Sequence, residues 1–290
     1  MQIHSFTRFL AAPFMIAMVY VFYKSAIDYD FRDEYSWYVF PLLVICVVLY
    51  MFSPQIDFWL HKKYPIKLDQ PIINWLEQKF PFYQTLSEED KLTFQNRLSL
   101  FLEDKDFSLM KVEKMDMPDD MSFIIAAHAV WLTFGRPDFL FSKFDRIIAY
   151  MHPFPTPFYK HLHTVESEIQ DGVVLFSFEY VLRGIIDQSY YNIGIHGFAE
   201  AFVESNPALT WPTFIDGDKA MLEEISGLPN QRICDTIGFD KTDSLIVAIH
   251  HYCRYAGQFK ELLPKEFDAL ESIFQLSKTN NIGRTQVENP

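Results

Sequence analysis

The chain of 290 residues is 49% hydrophobic and 17% aromatic, which is enough to bury a sizeable core in one or two domains. Its net charge of −13 argues against a nucleic-acid-binding surface. Its three cysteines, Cys46, Cys234 and Cys253, have neither the spacing of a metal site nor the even number of a disulfide framework, so they favour a reducing compartment.

Two apolar runs near the N-terminus predict membrane helices. Residues 9–23, FLAAPFMIAMVYVFY, carry no charge, and residues 37–52, WYVFPLLVICVVLYMF, form a second run with aromatic residues suited to an interface. A cleaved signal peptide and a buried core helix are the alternatives. However, the polar stretch KSAIDYDFRDEY leads from the first run directly into the second, without a small-residue cleavage site. We therefore predict a two-helix transmembrane hairpin over residues 1–60.

The charges that flank the two runs predict the orientation of this hairpin. Arg8 precedes the first run and Lys62, Lys63 and Lys67 follow the second, whereas the connecting loop is rich in Asp and Glu. By the positive-inside rule, both termini face the cytoplasm. The prediction is a protein of the bacterial inner membrane with two spans and a cytoplasmic C-terminal domain.

After a linker at residues 61–71, the sequence predicts a domain over residues 72–276 and a polar, disordered tail over residues 277–290. Ser87 opens a capped helix that runs to about Glu103. The remaining elements are a buried helix at 121–134, strands at 109–115, 146–150 and 172–178, and a helix or loop at 180–185. We interpret His128 as a satisfied core or surface histidine. A solvated Pro-rich loop is predicted to hold His152, His161 and His163.

Residues 192–204, NIGIHGFAEAFVE, form the predicted helix that matters most for function. Asn192 is suited to cap it, and His196 and Glu200 lie four residues apart on one face, where they could share a metal ion. The pattern resembles the zincin motif H-E-x-x-H with two departures. Gly197 replaces the Glu that acts as general base, and Glu200 replaces the second His.

Several blocks occur along the chain in a recognisable order, namely LSEEDKLTFQNRLSLFLEDKDF, MSFIIAAHAVWLTFG, RIIAYMHP, DGVVLFSFEYV and NIGIHGFAEAF. This succession resembles the zinc metallopeptidase family typified by Mlc titration factor A, over roughly residues 80–276. The resemblance implies an α+β, zincin-like fold. It also implies a zinc ion, whose third ligand is a Glu on a later helix, and Asp243 holds that position here. The implied metal site is His196, Glu200 and Asp243, without an intact catalytic base.

The chemistry of this ligand set weakens zinc binding. Asp243 is one methylene shorter than Glu, Glu200 adds negative charge in place of an imidazole, and Gly197 offers no proton acceptor. His250 lies seven residues after Asp243, about 10.5 Å along a helix axis, and is too distant to share the ion. His251 points to a different face and is interpreted as structural. Restoring Glu at position 197 together with His at position 200 should raise the affinity for zinc first.

These observations support functional hypotheses from different classes. The first is a membrane-anchored pseudopeptidase with a protein-binding or regulatory role, because the resemblance implies a prototype that binds a transcriptional repressor. The second is an active zinc-dependent peptidase with an atypical site, and a structural subunit of a membrane complex is the third. The expected partners are the lipid bilayer and a protein such as a cytoplasmic regulator, but no nucleic acid.

Overall fold

The computed structural model describes residues 6–111, 114–215 and 218–278, and the chain divides into two compact units, Met1–Ile66 and Lys67–Pro290. Most of the tail predicted at residues 277–290 lies outside the described residues. The described part of the first unit contains four helices, α1 (Phe6–Ile27), α2 (Tyr29–Tyr35), α3 (Val39–Met51) and α4 (Ser53–Lys63), with a 3-10 turn at Ser36–Tyr38.

Helix α1 is long and apolar enough to cross a membrane. Its 22 residues extend about 33 Å at 1.5 Å per residue, close to the thickness of the hydrocarbon core. The second predicted span is interrupted, because Ser36–Met51 and Ser53–Lys63 reach the necessary length only as a pair that is bent by 61°. Asp57 of α4 links this pair to α1, since its Oδ1 accepts hydrogen bonds from the backbone N–H and the hydroxyl of Thr7, at 2.8 and 2.6 Å.

The second unit combines eleven described helices with one sheet. The helices are α5 (Gln70–Lys79), α6 (Pro81–Gln84), α7 (Glu88–Asp104), α8 (Asp119–Leu132), α9 (Phe178–Ile186), α10 (Ile193–Ser205), α11 (Asp218–Ser226), α12 (Asn230–Ile237), α13 (Ser244–Arg254), α14 (Ala256–Leu262) and α15 (Pro264–Phe274). The strands are β1 (Asp106–Met110), β2 (Lys114–Asp116), β3 (Arg146–Tyr150), β4 (Val165–Glu168) and β5 (Val173–Ser177). The predicted α+β class is therefore confirmed.

The five strands are ordered β2-β1-β3-β5-β4. Strands β1, β3 and β5 are parallel, whereas β2 and β4 are antiparallel to their neighbours. The single strand predicted at 109–115 is wrong: β1 ends at Met110 and β2 begins at Lys114, with residues 112–113 outside the described part of the chain. Strand β4 was not predicted.

The two predicted helix caps are confirmed. The Ser87 hydroxyl accepts a hydrogen bond from the backbone N–H of Asp90 at 3.1 Å, at the start of α7. The Asn192 side chain accepts one from Ile195 N–H at 3.1 Å, at the start of α10. Helix α10 then packs against β4 and β5 on the sheet and against α8 and α13. The candidate site lies on this helix.

Candidate functional site

Asn192 is the centre of a buried hydrogen-bond network at the start of α10. Its backbone N–H donates to Nε2 of His250 at 3.1 Å, and its side-chain Nδ2 donates to Nε2 of His128 at 3.2 Å and to the Gly184 carbonyl at 3.3 Å. Because its Oδ1 already accepts the capping bond from Ile195, the backbone N–H and both ends of its amide are hydrogen-bonded. The residue therefore connects α8, α9, α10 and α13.

The hydrogen bonds fix the proton positions on the three histidines of this network. Nδ1 of His128 donates to the Ile124 carbonyl at 2.9 Å, which leaves its Nε2 to accept from Asn192. Nε2 of His250 accepts from a backbone N–H, so its proton is on Nδ1, which contacts Nδ1 of His251 at 2.9 Å. The remaining proton of His251 is then on Nε2, which makes no hydrogen bond of standard geometry among the described residues, although the Leu222 carbonyl is near enough to act on the ring. All three imidazole rings are neutral in this arrangement.

Burial favours the neutral form of these rings. It lowers the pKa of His128 to about 4 and that of His251 to about 3, although the Leu222 carbonyl acts in the opposite direction on His251. The pKa of His250 is well below its usual value because of burial and the adjacent His251. The interpretation of His128 as a satisfied core histidine therefore agrees with the structure.

His196, the first predicted metal ligand, belongs to the same buried region. Its Nδ1 is 2.8 Å from the Tyr191 hydroxyl, and the Tyr191 ring stacks on His250 with 4.1 Å between ring centroids. Only 4% of His196 is exposed, and burial lowers its pKa to about 4. One ring nitrogen of this single imidazole is thus already hydrogen-bonded.

Gly197, at the general-base position, lies directly against the sheet. A Cβ atom added there would be 2.6 Å from Cε1 of Phe176 on β5 and 2.6 Å from Cγ2 of Val165 on β4. Non-bonded carbon atoms pack at about 3.5 to 4.0 Å, so neither alanine nor a longer side chain fits without displacing these neighbours. The volume that a Glu at position 197 would need is filled by the core.

Glu200, the second predicted ligand, is half-buried one turn further along α10. Burial, followed by the charge of Glu204, raises its pKa to about 8, and Asp243 contributes in the same direction. The Ser167 hydroxyl is near enough to lower the pKa of both Glu200 and Glu204. Neither Oγ of Ser167 nor Oε2 of Glu204 makes a hydrogen bond of standard geometry in the described structure. Because its pKa is about 8, Glu200 is mostly protonated at neutral pH.

Asp243, the third predicted ligand, caps α13. Its Oδ1 accepts a hydrogen bond from Leu245 N–H at 2.8 Å. Residues 6–111, 114–215 and 218–278 contain no group of three or more His, Cys, Asp or Glu side chains that could hold a metal ion. His196, Glu200 and Asp243 are not gathered into such a group here, and their assignment as ligands stays a prediction.

The prediction of a solvated Pro-rich loop is wrong for His163. This residue is fully buried, its Nε2 is 2.8 Å from Oε2 of Glu166, and its Nδ1 donates to the His161 carbonyl at 3.1 Å. His152 and His161 are exposed as predicted. Sequence reasoning also missed Tyr191, because the only local signal was its position beside the cap Asn192.

The family model described as Glucose-regulated metallo-peptidase M90 matches residues 59–206, slightly more than half of the chain, and the match ends just after α10. The chain belongs to this family. The predicted resemblance is therefore confirmed. Asp243 lies outside the residues that the family model matches. No curated protein matches the chain.

The family description names a metallo-peptidase, and the donor set of this chain does not fit a zinc ion. Zinc sites with catalytic roles use three protein ligands and leave a fourth position for water. Here the predicted set offers one imidazole and two carboxyl groups, and Glu200, with its pKa raised to about 8, would have to release a proton before it could bind a metal ion. No carboxylate stands at position 197 to activate water.

Proposed function

We propose that this M90-family protein is a membrane-anchored pseudopeptidase with a protein-binding or regulatory role. The packing at Gly197 is the observation that carries the proposal. The position at which zincins place their general base is occupied by the side chains of Phe176 and Val165, 2.6 Å from where a Cβ would stand. Loss of a general base removes a factor of about 10² to 10⁴ in rate.

Beyond Glu200, which is itself a predicted ligand, Glu204 is the next carboxyl group on the same helix, and its position does not suit the role of a base. It follows His196 by eight residues, or about 12 Å along the helix axis. A general base must be within hydrogen-bond reach of the water from which it takes a proton. A water held near His196 is therefore out of its reach.

The arrangement around α10 supports a zincin-like scaffold that has kept its architecture. The sheet has parallel central strands and an antiparallel edge strand, β4, and α10 packs directly against that edge. An intact scaffold without a working site suits a module that acts by binding. The resemblance to a repressor-binding prototype supports a protein partner, such as a cytoplasmic regulator, and the net charge of −13 argues against nucleic acid.

Membrane anchoring is supported by the first unit. Helix α1 exposes large apolar side chains, including Phe9 and Phe22, which are 68% and 71% exposed, and lipid would cover them. The bent pair of α3 and α4 would supply the second span of a transmembrane hairpin. Lys62 and Lys63 at the end of α4 favour a cytoplasmic location for the domain at the bacterial inner membrane.

The alternative is an active zinc-dependent peptidase with an atypical site. One observation favours it, since the charges of Glu204 and Asp243 both act on Glu200, which places three carboxyl groups in one neighbourhood. In this alternative, metal binding would displace the proton of Glu200 and release it to solvent.

Peptidase assays on the full chain in detergent separate the two functions. The wild-type protein and the His196→Ala variant should both show background cleavage of a mixed fluorogenic peptide library when zinc is supplied. Cleavage by the wild type that is abolished by a chelator and by His196→Ala would reject the pseudopeptidase proposal. Unfolding curves of both proteins serve as the control for correct folding.

A further inference from the structure

The segment between β3 and β4 forms a closed, ordered loop at residues 154–163. Its ends pair through two backbone hydrogen bonds, Phe154 N–H to the His163 carbonyl at 2.9 Å and His163 N–H to the Phe154 carbonyl at 3.1 Å. Inside the loop, Thr156 N–H donates to the Tyr159 carbonyl at 2.8 Å, and Tyr159 N–H donates to the Thr156 hydroxyl at 3.1 Å. Phe154 and His163 are buried, so they anchor the two ends of the 154–163 loop in the protein while its tip extends toward solvent.

The tip of this loop exposes apolar side chains to solvent. Residues 157–162 are all exposed, and the exposed fraction is 66% for Phe158 and 64% for Leu162. Tyr159 instead packs edge-on against Phe239, with 5.0 Å between ring centroids, and supports the tip from behind. Two large apolar side chains on a fixed support are poorly placed in water and well placed to enter an apolar phase.

The charge of the loop contrasts with that of the whole chain. No acidic residue occurs between Asp145 and Glu166, although the chain carries a net charge of −13. The tip contains one formal charge, that of Lys160, between Tyr159 and His161. A lysine beside exposed aromatic and aliphatic residues matches a surface with anionic headgroups above an apolar interior.

We propose that the 154–163 loop docks on an anionic lipid surface, where Phe158 and Leu162 enter the headgroup region and Lys160 meets the lipid phosphates. This inference rests on the proposed membrane anchoring, because α1 would hold the domain beside the bilayer. A tethered domain has a high effective concentration at the membrane, so weak partitioning of two side chains suffices for docking. The occupant is therefore the lipid surface rather than a second protein.

Nitroxide accessibility measured on the full chain in vesicles tests the proposal. Cys46 would be replaced by serine, since Cys234 and Cys253 are buried, and a spin label would be attached at Leu162→Cys. Matched labels at Leu92→Cys, on the exposed face of α7, and at Val19→Cys, in α1, report water and lipid respectively. Phe158→Cys is the substitute if Leu162→Cys alters the unfolding curve.

In vesicles of phosphatidylcholine and phosphatidylglycerol, the label at 162 should collide with oxygen more often than with a nickel chelate, as the label at 19 does. The label at 92 should show the opposite preference. Omitting phosphatidylglycerol should move the label at 162 toward water by about a fivefold change in partitioning, because an anionic surface attracts one lysine by about 1 kcal/mol, and Lys160→Glu should move it at least as far.

A label at 162 that behaves like the label at 92 would overturn the docking proposal while leaving the anchoring intact, provided that the label at 19 is in lipid. A label at 162 that is shielded from both reagents would mean that protein covers the loop, and it would overturn the proposal as well. A label at 19 in water would reject the membrane anchoring itself.

Discussion

The two halves of helix α10 differ in how their polar groups are satisfied. At the N-cap and in residues 193–198, Asn192 is hydrogen-bonded at every polar position, His196 contacts the Tyr191 hydroxyl, and Gly197 is closed in by the sheet. In residues 199–205, Glu200 has a raised pKa and Glu204 keeps an oxygen without a hydrogen bond. The half that holds His196 and the general-base position 197 is well-packed core, whereas the carboxyl groups of the other half are only partly stabilised.

The largest expected effect follows from placing a glutamate at Gly197, and an alanine there is the milder form of the same change. Gly197→Ala places a Cβ atom 2.6 Å from Phe176 and Val165, and overpacking of this kind costs about 1–3 kcal/mol of unfolding free energy. Gly197→Glu should cost more and reduce the yield of folded protein. Urea unfolding of the full chain in detergent measures both variants.

Gly257→Ala is the matched control for this prediction, because a Cβ there meets nothing within 4 Å. Adding Val165→Ala to Gly197→Ala should recover part of the lost stability. A Gly197→Glu variant as stable as the wild type would show that Phe176 and Val165 leave room for a side chain at position 197. The packing at Gly197 changes the expected outcome of restoring the H-E-x-x-H motif with Gly197→Glu and Glu200→His. Loss of folding should precede any gain in zinc affinity.

Asn192→Ala should destabilise the protein by roughly 2–4 kcal/mol, because it removes a helix cap and the donors to His128 and Gly184 in a buried region. Ser87→Ala removes a cap at an exposed helix start and should cost only about 1 kcal/mol. The comparison of their unfolding free energies tests whether the buried hydrogen-bond network of Asn192 contributes more than an exposed helix cap does. Equal losses would mean that it does not.

The helix caps were predictable because Ser87 and Asn192 act on backbone groups only three residues away. Strand β4 was not, since its sequence VESE is short and polar, and the burial of Glu166 depends on pairing with His163. The bond between Asn192 and His250 joins residues 58 positions apart. The closure of Gly197 likewise comes from two strands distant in sequence, so the local motif could not reveal it.

Acid should destabilise the folded protein through His128 of α8, which is hydrogen-bonded to Asn192 at the start of α10. The ordinary pKa of 6.5 applies to the unfolded chain, and the folded value is about 4, so the unfolded state binds more protons between these pH values. Stability should therefore fall as the pH drops below about 6.5, by about 2 kcal/mol at pH 5 for this group. Unfolding curves at neutral pH and at pH 5 test this, and His128→Gln should show a smaller difference. An unchanged difference in the variant would assign the acid sensitivity elsewhere.

The second half of α10 should respond to base, with the smallest effect. The pKa of Glu200 is raised from 4.5 to about 8, so the folded state retains a proton that the unfolded state releases. Stability is fully present below about pH 4.5 and declines as the pH rises toward 8, on the order of 1 kcal/mol after allowance for water screening at a half-buried site. Glu200→Gln should remove most of this decline. The same decline in the variant would mean that Glu200 is not its source.

Under the proposed function, the M90 scaffold of this protein binds no zinc, because neutral, packed core stands where zincins place the metal ion and its base. Elemental analysis of the full chain, equilibrated with zinc in detergent and freed of unbound metal, tests it most directly. We expect zinc far below one ion per chain, with the same content in His196→Ala. One zinc ion per chain in the wild type, lost in His196→Ala, would contradict this account.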